Sequence, residues 1–351
     1  METLADAVAA WPKAEIHLHL EGSITPETAV ELAARNGEQV TPEEVAARYA
    51  YADFHGFLEA FKWVSSLLRR PEDYALVARR LASKLRRQNV VYSEVTLSVG
   101  VMLWRNQDAS ANFAALRAAA EEAGRPDLRM QWIFDAVRQF GPEKAMEVAR
   151  VAAQHREEGA VAFGLGGDEL AVPAEEFRAV YDHVRAHGLH ALVHAGEVGG
   201  PEEVRRAVEV LGAERIGHGI AAARDPAVMQ LLAKRGVALE ICPTSNLRTG
   251  ALARMRRNVR AALRDHPVTQ LYRAGVRVTL STDDPAMFAT NLRQEYLAAA
   301  EAGLSTRELT SIAEASFEAA FLPPEEKAAL ATRLRQVLTA QGLVYSERSN
   351  A

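Results

Sequence analysis

Eight times along this 351-residue chain a short β-rich run gives way to a longer Ala/Leu/Arg/Glu stretch with helical spacing. The runs cover residues 15–20, 89–97, 130–137, 161–167, 189–196, 215–220, 237–243 and 276–283. Short strands alternating with helical stretches are the signature of βαβ units and a parallel sheet. Eight such units predict an α/β chain closed into a (β/α)8 TIM-type barrel. The competing architecture is an open doubly wound sheet, but no Gly-x-Gly-x-x-Gly fingerprint follows a strand and no Walker loop is present. We read residues 1–351 as one domain, with extra C-terminal helices, because only helical patterns follow the eighth run.

Helix punctuation agrees. Thr41-Pro42-Glu43-Glu44 combines an N-cap Thr, a Pro at the first helical position and a capping-box Glu. Thr25-Pro26 opens another helix that stops at Asn36-Gly37. Ser305 with Glu308 marks a late helix, and Pro323-Pro324 starts the last one. Residues 49–74, between strands one and two, are too long for a simple crossover and carry Phe54, Phe57, Phe61 and Trp63. A helical insertion there, about residues 41–75, is expected to cover the C-terminal mouth of the barrel as a lid.

Composition removes several function classes. A net charge of −5 gives no support for a polyanion-binding protein, so no nucleic-acid partner is expected. One cysteine excludes a disulfide scaffold, a Cys-ligated zinc ribbon and an iron–sulfur cluster. It also excludes the deaminases that hold zinc through Pro-Cys-x-x-Cys. No Lys or Arg precedes the mildly apolar residues 4–11, and no run approaches the ~18 apolar residues of a spanning helix. The expectation is a cytoplasmic protein without a membrane partner.

The sharpest chemical signal is His17-Leu18-His19 inside the first strand, where residues i and i+2 share a face. Two imidazoles directed together into a buried strand need a partner, and a metal is the simplest one. Three further groups fall at strand ends: His194-Ala195-Gly196-Glu197, Gly217-His218-Gly219 and Thr282-Asp283-Asp284-Pro285. Each alone reads as a capping or solvated group. Jointly they mark the face where barrels do their chemistry. Two His from strand one, one from strand five and a carboxylate from strand eight supply a nitrogen/oxygen zinc site with a position open for water. The end of strand four, Phe163 to Glu169, has no Lys to bridge a second ion, so one metal per chain is expected.

These segments, with Pro12 to Ser23, Gly166-Gly167-Asp168-Glu169 and Cys242-Pro243-Thr244-Ser245-Asn246, are collinear over positions 12 to 285 and resemble the adenosine/adenine deaminases, the zinc-dependent branch of the amidohydrolase barrels. The resemblance implies that His17, His19, His194 and Asp283 bind zinc, with His19 also beside the substrate. It implies that a protonated Glu197 donates to purine N1, while His218 takes the proton of the activated water and orients the hydroxide toward C6. Asp284 would meet the N7 side and Gly167 N–H the other edge of the ring. Phe57 and Phe61 would cover the substrate from the lid. Cys242 reads as a small buried thiol, and Ser245 and Asn246 as turn formers.

Substrate identity is less constrained. Where adenosine deaminases carry Asp, two residues after the second His and against the ribose 5′-hydroxyl, this chain has Glu21, as do adenine deaminases and relatives acting on 5′-modified adenosines; the resemblance implies that Glu21 binds substrate at that end. The implied reaction is removal of the 6-amino group of an adenine nucleoside: adenosine, or a 5′-modified adenosine such as 6-aminodeoxyfutalosine. Free adenine is the alternative substrate, and a non-catalytic metal-binding barrel a remote one that intact Glu197, His218 and Asp284 oppose. Arg248, Arg254, Arg256, Arg257, Arg260 and Arg264 enrich residues 246–266, and Arg256, Arg260 and Arg264 form a stripe if helical. The stripe reads as a solvated face, the alternative being a receptor for an anionic substituent.

Overall fold

The computed structural model describes residues 3–51 and 53–343; residues 1–2, 52 and 344–351 of the expected domain, residue 52 within the expected lid, lie outside them. Eight strands form: β1 Lys13–His19, β2 Val90–Leu97, β3 Arg129–Val137, β4 Ala160–Gly166, β5 His190–Ala195, β6 Arg215–His218, β7 Ala238–Ile241 and β8 Arg277–Leu280. All neighbouring pairs are parallel, in the order β1 to β8. Just past β8, Asp283 N–H donates to His17 O (3.0 Å) and His19 N–H donates to Asp283 O (2.8 Å), which brings the sheet nearly to closure. The result is a (β/α)8 barrel.

The last three strands end two or three residues earlier than their sequence runs. β6 stops at His218, whose backbone is left-handed at φ 62°, which an L-residue enters at a cost; Asp283, three residues past β8, is left-handed too, at φ 65°. Within β1, Glu15 pairs with Ser93 and Leu18 with Val95, so β1 takes one more step than β2 across the stretch that holds His17. A bulge at such a place re-aims the side chains beside a site.

Four helices separate β1 from β2: Pro26–Arg35, Pro42–Arg48, Phe54–Ser66 and Pro71–Arg87. The capping boxes at Thr41 and Ser305 form as the sequence predicts, and Pro324 opens the final helix, Pro324–Ala340. Helix Thr306–Ala319, after β8, packs on β8 and β1. Among the described residues no helix is long and apolar enough to cross a membrane.

The arginine-rich segment is not one helix. Helices Pro243–Arg248 and Ala251–Arg256 are separate, and Arg257 breaks the second at φ 51°. Arg256, Arg260 and Arg264 are exposed and share no helical face. None of the six arginines lines the cavity described below.

Candidate active site

Five side chains converge at the C-terminal mouth of the barrel. One ligand atom from each of His17, His194, His218 and Asp283 lies within 4.8 Å of all the others. His19 stands beside them, its Nε2 3.3 Å from Asp283 Oδ1, and that same oxygen is 3.4 Å from His17 Nε2. The ring centroids of His17 and His194 are 4.8 Å apart, and His19 lies 5.5 Å from each. All four expected metal residues therefore meet, and the quartet whose ligand atoms all lie within 4.8 Å holds His218 in place of His19. Gly217 permits the approach: a Cβ there would fall 2.7 Å from His17 Cε1 and 3.2 Å from His194 Cδ2.

A cation fits this cluster. His17 Nδ1–H donates to Glu240 Oε2 at 2.7 Å, which leaves a lone pair on Nε2, and Nε2 is buried without a hydrogen-bond partner. That lone pair faces the Asp283 carboxylate, whose Oδ2 accepts from Ser245 Oγ at 2.6 Å. Two buried acceptors face to face are costly unless something positive lies between them. Although burial opposes it, the neighbouring Asp283 and Glu240 carboxylates push His17 up to about 10. The same negative charges that favour a proton there favour a metal. Burial holds His19 down to about 4 and, with the neighbouring imidazoles, keeps His194 well below its ordinary value, so both rings offer neutral nitrogen. Three or four imidazoles with one carboxylate make a metal site of the nitrogen/oxygen kind. Glu240 is the carboxylate that orients one ligand from behind, and it pairs in turn with Arg215 at 2.6 Å.

The remaining polar groups form the floor of a cavity. Glu197 is largely but not fully buried, with Oε2 3.6 Å from His218 Nε2 and Oε1 accepting from Thr249 Oγ1 at 3.1 Å. Burial, and then the Asp283 charge, push it up to about 7, where a carboxyl group can serve as an acid. Asp284 also lines the cavity; its Oδ1 is buried without a partner, and burial with the adjacent Asp283 raises it well above the carboxylate range. Asp284 fits only because residue 22 is Gly, where a Cβ would fall 1.7 Å from Oδ1. Gly167, at φ 94°, lines the wall from the end of β4.

Phe54, Phe57, Leu58 and Phe61 form an apolar wall, all from helix Phe54–Ser66. Phe61 meets His19 edge-on at 6.1 Å, and Phe57 stacks on Phe288 at 5.3 Å. Glu21 is buried behind the wall: its Oε1 accepts the N–H of Ser98 at 3.1 Å, and Ser98, not Glu21, lines the cavity.

Sequence reasoning passed over three residues here. Glu169 accepts from the backbone N–H groups of Gly196, Val198 and Gly199, and so clamps the loop that carries Glu197. Ser245 and Asn246 do more than turn the chain, since Ser245 holds Asp283 and Asn246 holds His218. Their motifs were visible, but a motif does not reveal which distant atom each side chain reaches. Cys242 is a buried free thiol, as expected.

Known proteins agree with this arrangement. Residues 12–337 match the adenosine deaminase family. The chain is 40% identical over 336 residues to an aminodeoxyfutalosine deaminase of Streptomyces coelicolor, covering 93% of this chain and 84% of that one. It is 37% identical over 312 residues to an adenine deaminase of Sinorhizobium medicae, covering 88% and 94%. The crystal structure of an adenine deaminase from Arthrobacter aurescens superposes with a TM-score of 0.84 at 26% identity, covering 94% of this chain and all of that one. The chain belongs to the adenosine deaminase family of hydrolytic deaminases.

Proposed function

We propose that this protein is a cytoplasmic, single-domain, zinc-dependent deaminase that replaces the 6-amino group of an adenine nucleoside with oxygen, releasing ammonia. One zinc per chain would be held by His17, His19, His194 and Asp283. The observation that carries the reading is the partnerless Nε2 of buried His17, 3.4 Å from Asp283 Oδ1 and beside the acid Glu197. Bound zinc would supply hydroxide at neutral pH by lowering the pKa of water to ~7. Glu197 hands a proton to N1, which makes C6 electrophilic. His218 meets the attacking water at C6, Asp284 binds the N7 side, and Gly167 N–H holds the opposite edge. The segment of about residues 41–75 acts as the lid, with Phe57 and Phe61 against the purine and sugar.

Among nucleosides, a 5′-modified adenosine such as 6-aminodeoxyfutalosine is the preferred substrate. The 40% identity to an aminodeoxyfutalosine deaminase supports this choice, as does Glu at position 21, where adenosine deaminases carry Asp. Free adenine is the second reading, favoured by the 37% identity to an adenine deaminase. The test incubates zinc-loaded protein with adenine, adenosine, methylthioadenosine, S-adenosylhomocysteine and 6-aminodeoxyfutalosine, following ammonia and ultraviolet absorbance. Turnover of the last compound above the others is expected. Turnover of adenine alone removes the nucleoside reading, and none on any compound removes the enzyme.

A further inference from the structure

A chain of three side chains leads from one backbone amide to the cavity, and its direction is fixed. The N–H of Val268 can only donate, and it donates to His266 Nδ1 at 3.1 Å. Burial keeps His266 down to about 3, so the ring is neutral and carries its single proton on Nε2. His266 Nε2–H therefore donates to Asn246 Oδ1 at 3.1 Å. With its oxygen so engaged, Asn246 turns its amide N–H to His218 Nδ1 at 3.0 Å. His218 Nδ1 is then an acceptor, and the proton of the neutral ring resides on Nε2. That nitrogen faces Glu197 Oε2 at 3.6 Å and Asp283 Oδ2 at 3.8 Å. Reversing any one bond sets two N–H groups, or two lone pairs, against each other in a fully buried row, and such a mismatch costs about 1–3 kcal/mol.

We infer that Asn246 and His266 are positioning residues that lock His218 as an Nε2–H donor, so that His218 is neither a metal ligand nor the resting acceptor of the water's proton. The inference rests on the deaminase reading and assigns roles within it. A nitrogen that bears a proton has no lone pair for a metal, so the fourth ligand falls to His19, whose Nε2 is 3.3 Å from Asp283 Oδ1, and not to His218. The Nε2–H instead donates to the attacking oxygen, holding it toward C6. Once Glu197 has given its own proton to N1, the water's proton passes to the carboxylate left behind, so one carboxyl group serves as donor and then acceptor. In this way a backbone amide remote from the substrate decides how a catalytic ring is presented.

The test uses zinc-loaded full-length protein with 15N-labelled histidine. In the wild type, long-range proton–nitrogen correlation is expected to find His218 protonated at Nε2 and bare at Nδ1. Asn246→Asp keeps the bond from His266 but places a carboxylate oxygen against His218 Nδ1, which reverses the tautomer. The variant is expected to show an Nδ1 proton on His218 and a kcat lower by roughly 10²-fold, the usual loss for one donor to a developing oxyanion, with KM little changed. A bare or metal-bound Nε2 in the wild type overturns the inference. So does an Asn246→Asp enzyme as active as the wild type or more so, since an Asp–His pair would help a base. If the variant does not fold, the wild-type spectrum decides alone. Wild-type turnover with any of these results leaves the deaminase reading intact.

Discussion

Gly217→Ala is the sharpest probe of the cluster, because Gly217 has no left-handed backbone to strain and the new methyl is the whole perturbation. Its Cβ would lie 2.7 Å from His17 Cε1, where carbon contacts normally begin near ~3.5 Å, so one of the two must yield by about 0.8 Å. His17 cannot retreat freely, because Glu240 holds its Nδ1 at 2.7 Å, and His194 flanks the methyl at 3.2 Å. Overpacking of this kind costs about 1–3 kcal/mol. If the cost falls on the ligand geometry, zinc binding weakens roughly 5- to 150-fold. Displacement of a reacting group by ~1 Å further predicts a rate loss approaching ~10²-fold. The assay is zinc affinity by chelator competition, with circular dichroism to verify the fold. Gly200→Ala is the control, since its Cβ would meet nothing within 4 Å. If Gly217→Ala binds zinc as tightly as the control, the claim that His17 and His194 share one ion through this gap is refuted.

Three further outcomes follow from particular contacts. Glu197→Gln removes the proton destined for N1 while keeping its size, and should lower kcat by ~10²- to 10⁴-fold with zinc affinity unchanged; steady-state kinetics and zinc titration check both halves. Glu169→Gln sets an amide N–H against the loop N–H groups that Glu169 now accepts, each worth about 1.5–3 kcal/mol; amide exchange at Gly196, Val198 and Gly199 should quicken by at least about tenfold, and unchanged protection argues against the clamp. Buried Glu295, which receives bonds from Thr244 N–H and Thr290 Oγ1, is pushed up to about 7 by burial, from 4.5 when unfolded. The native state then binds the proton more tightly, so stability is full below pH 4.5 and declines by about 3 kcal/mol as pH rises through 7. Glu295→Gln should accordingly have the higher Tm at pH 8 and lose that advantage near pH 4.5, whereas parallel Tm–pH curves would contradict the shift.

The sequence by itself determined the eight strands, the caps at Thr41 and Ser305 and the pairing of His17 with His19, because each depends on periodicities or hydrogen bonds that span only a few residues. It also gathered the candidate metal residues, since strand ends in a barrel point to one rim whatever their distance along the chain. Only the tertiary structure decided what each of those groups can do. The proton on His218 follows from Val268, His266 and Asn246, and the approach of His17 to His194 follows from the bare backbone of Gly217. The arginine stripe was drawn from i, i+4 spacing and dissolved when Arg257 turned left-handed. Spacing reports which way a side chain leaves its own element. Which lone pair or N–H it meets there is set by atoms that only the closed barrel brings within hydrogen-bond reach.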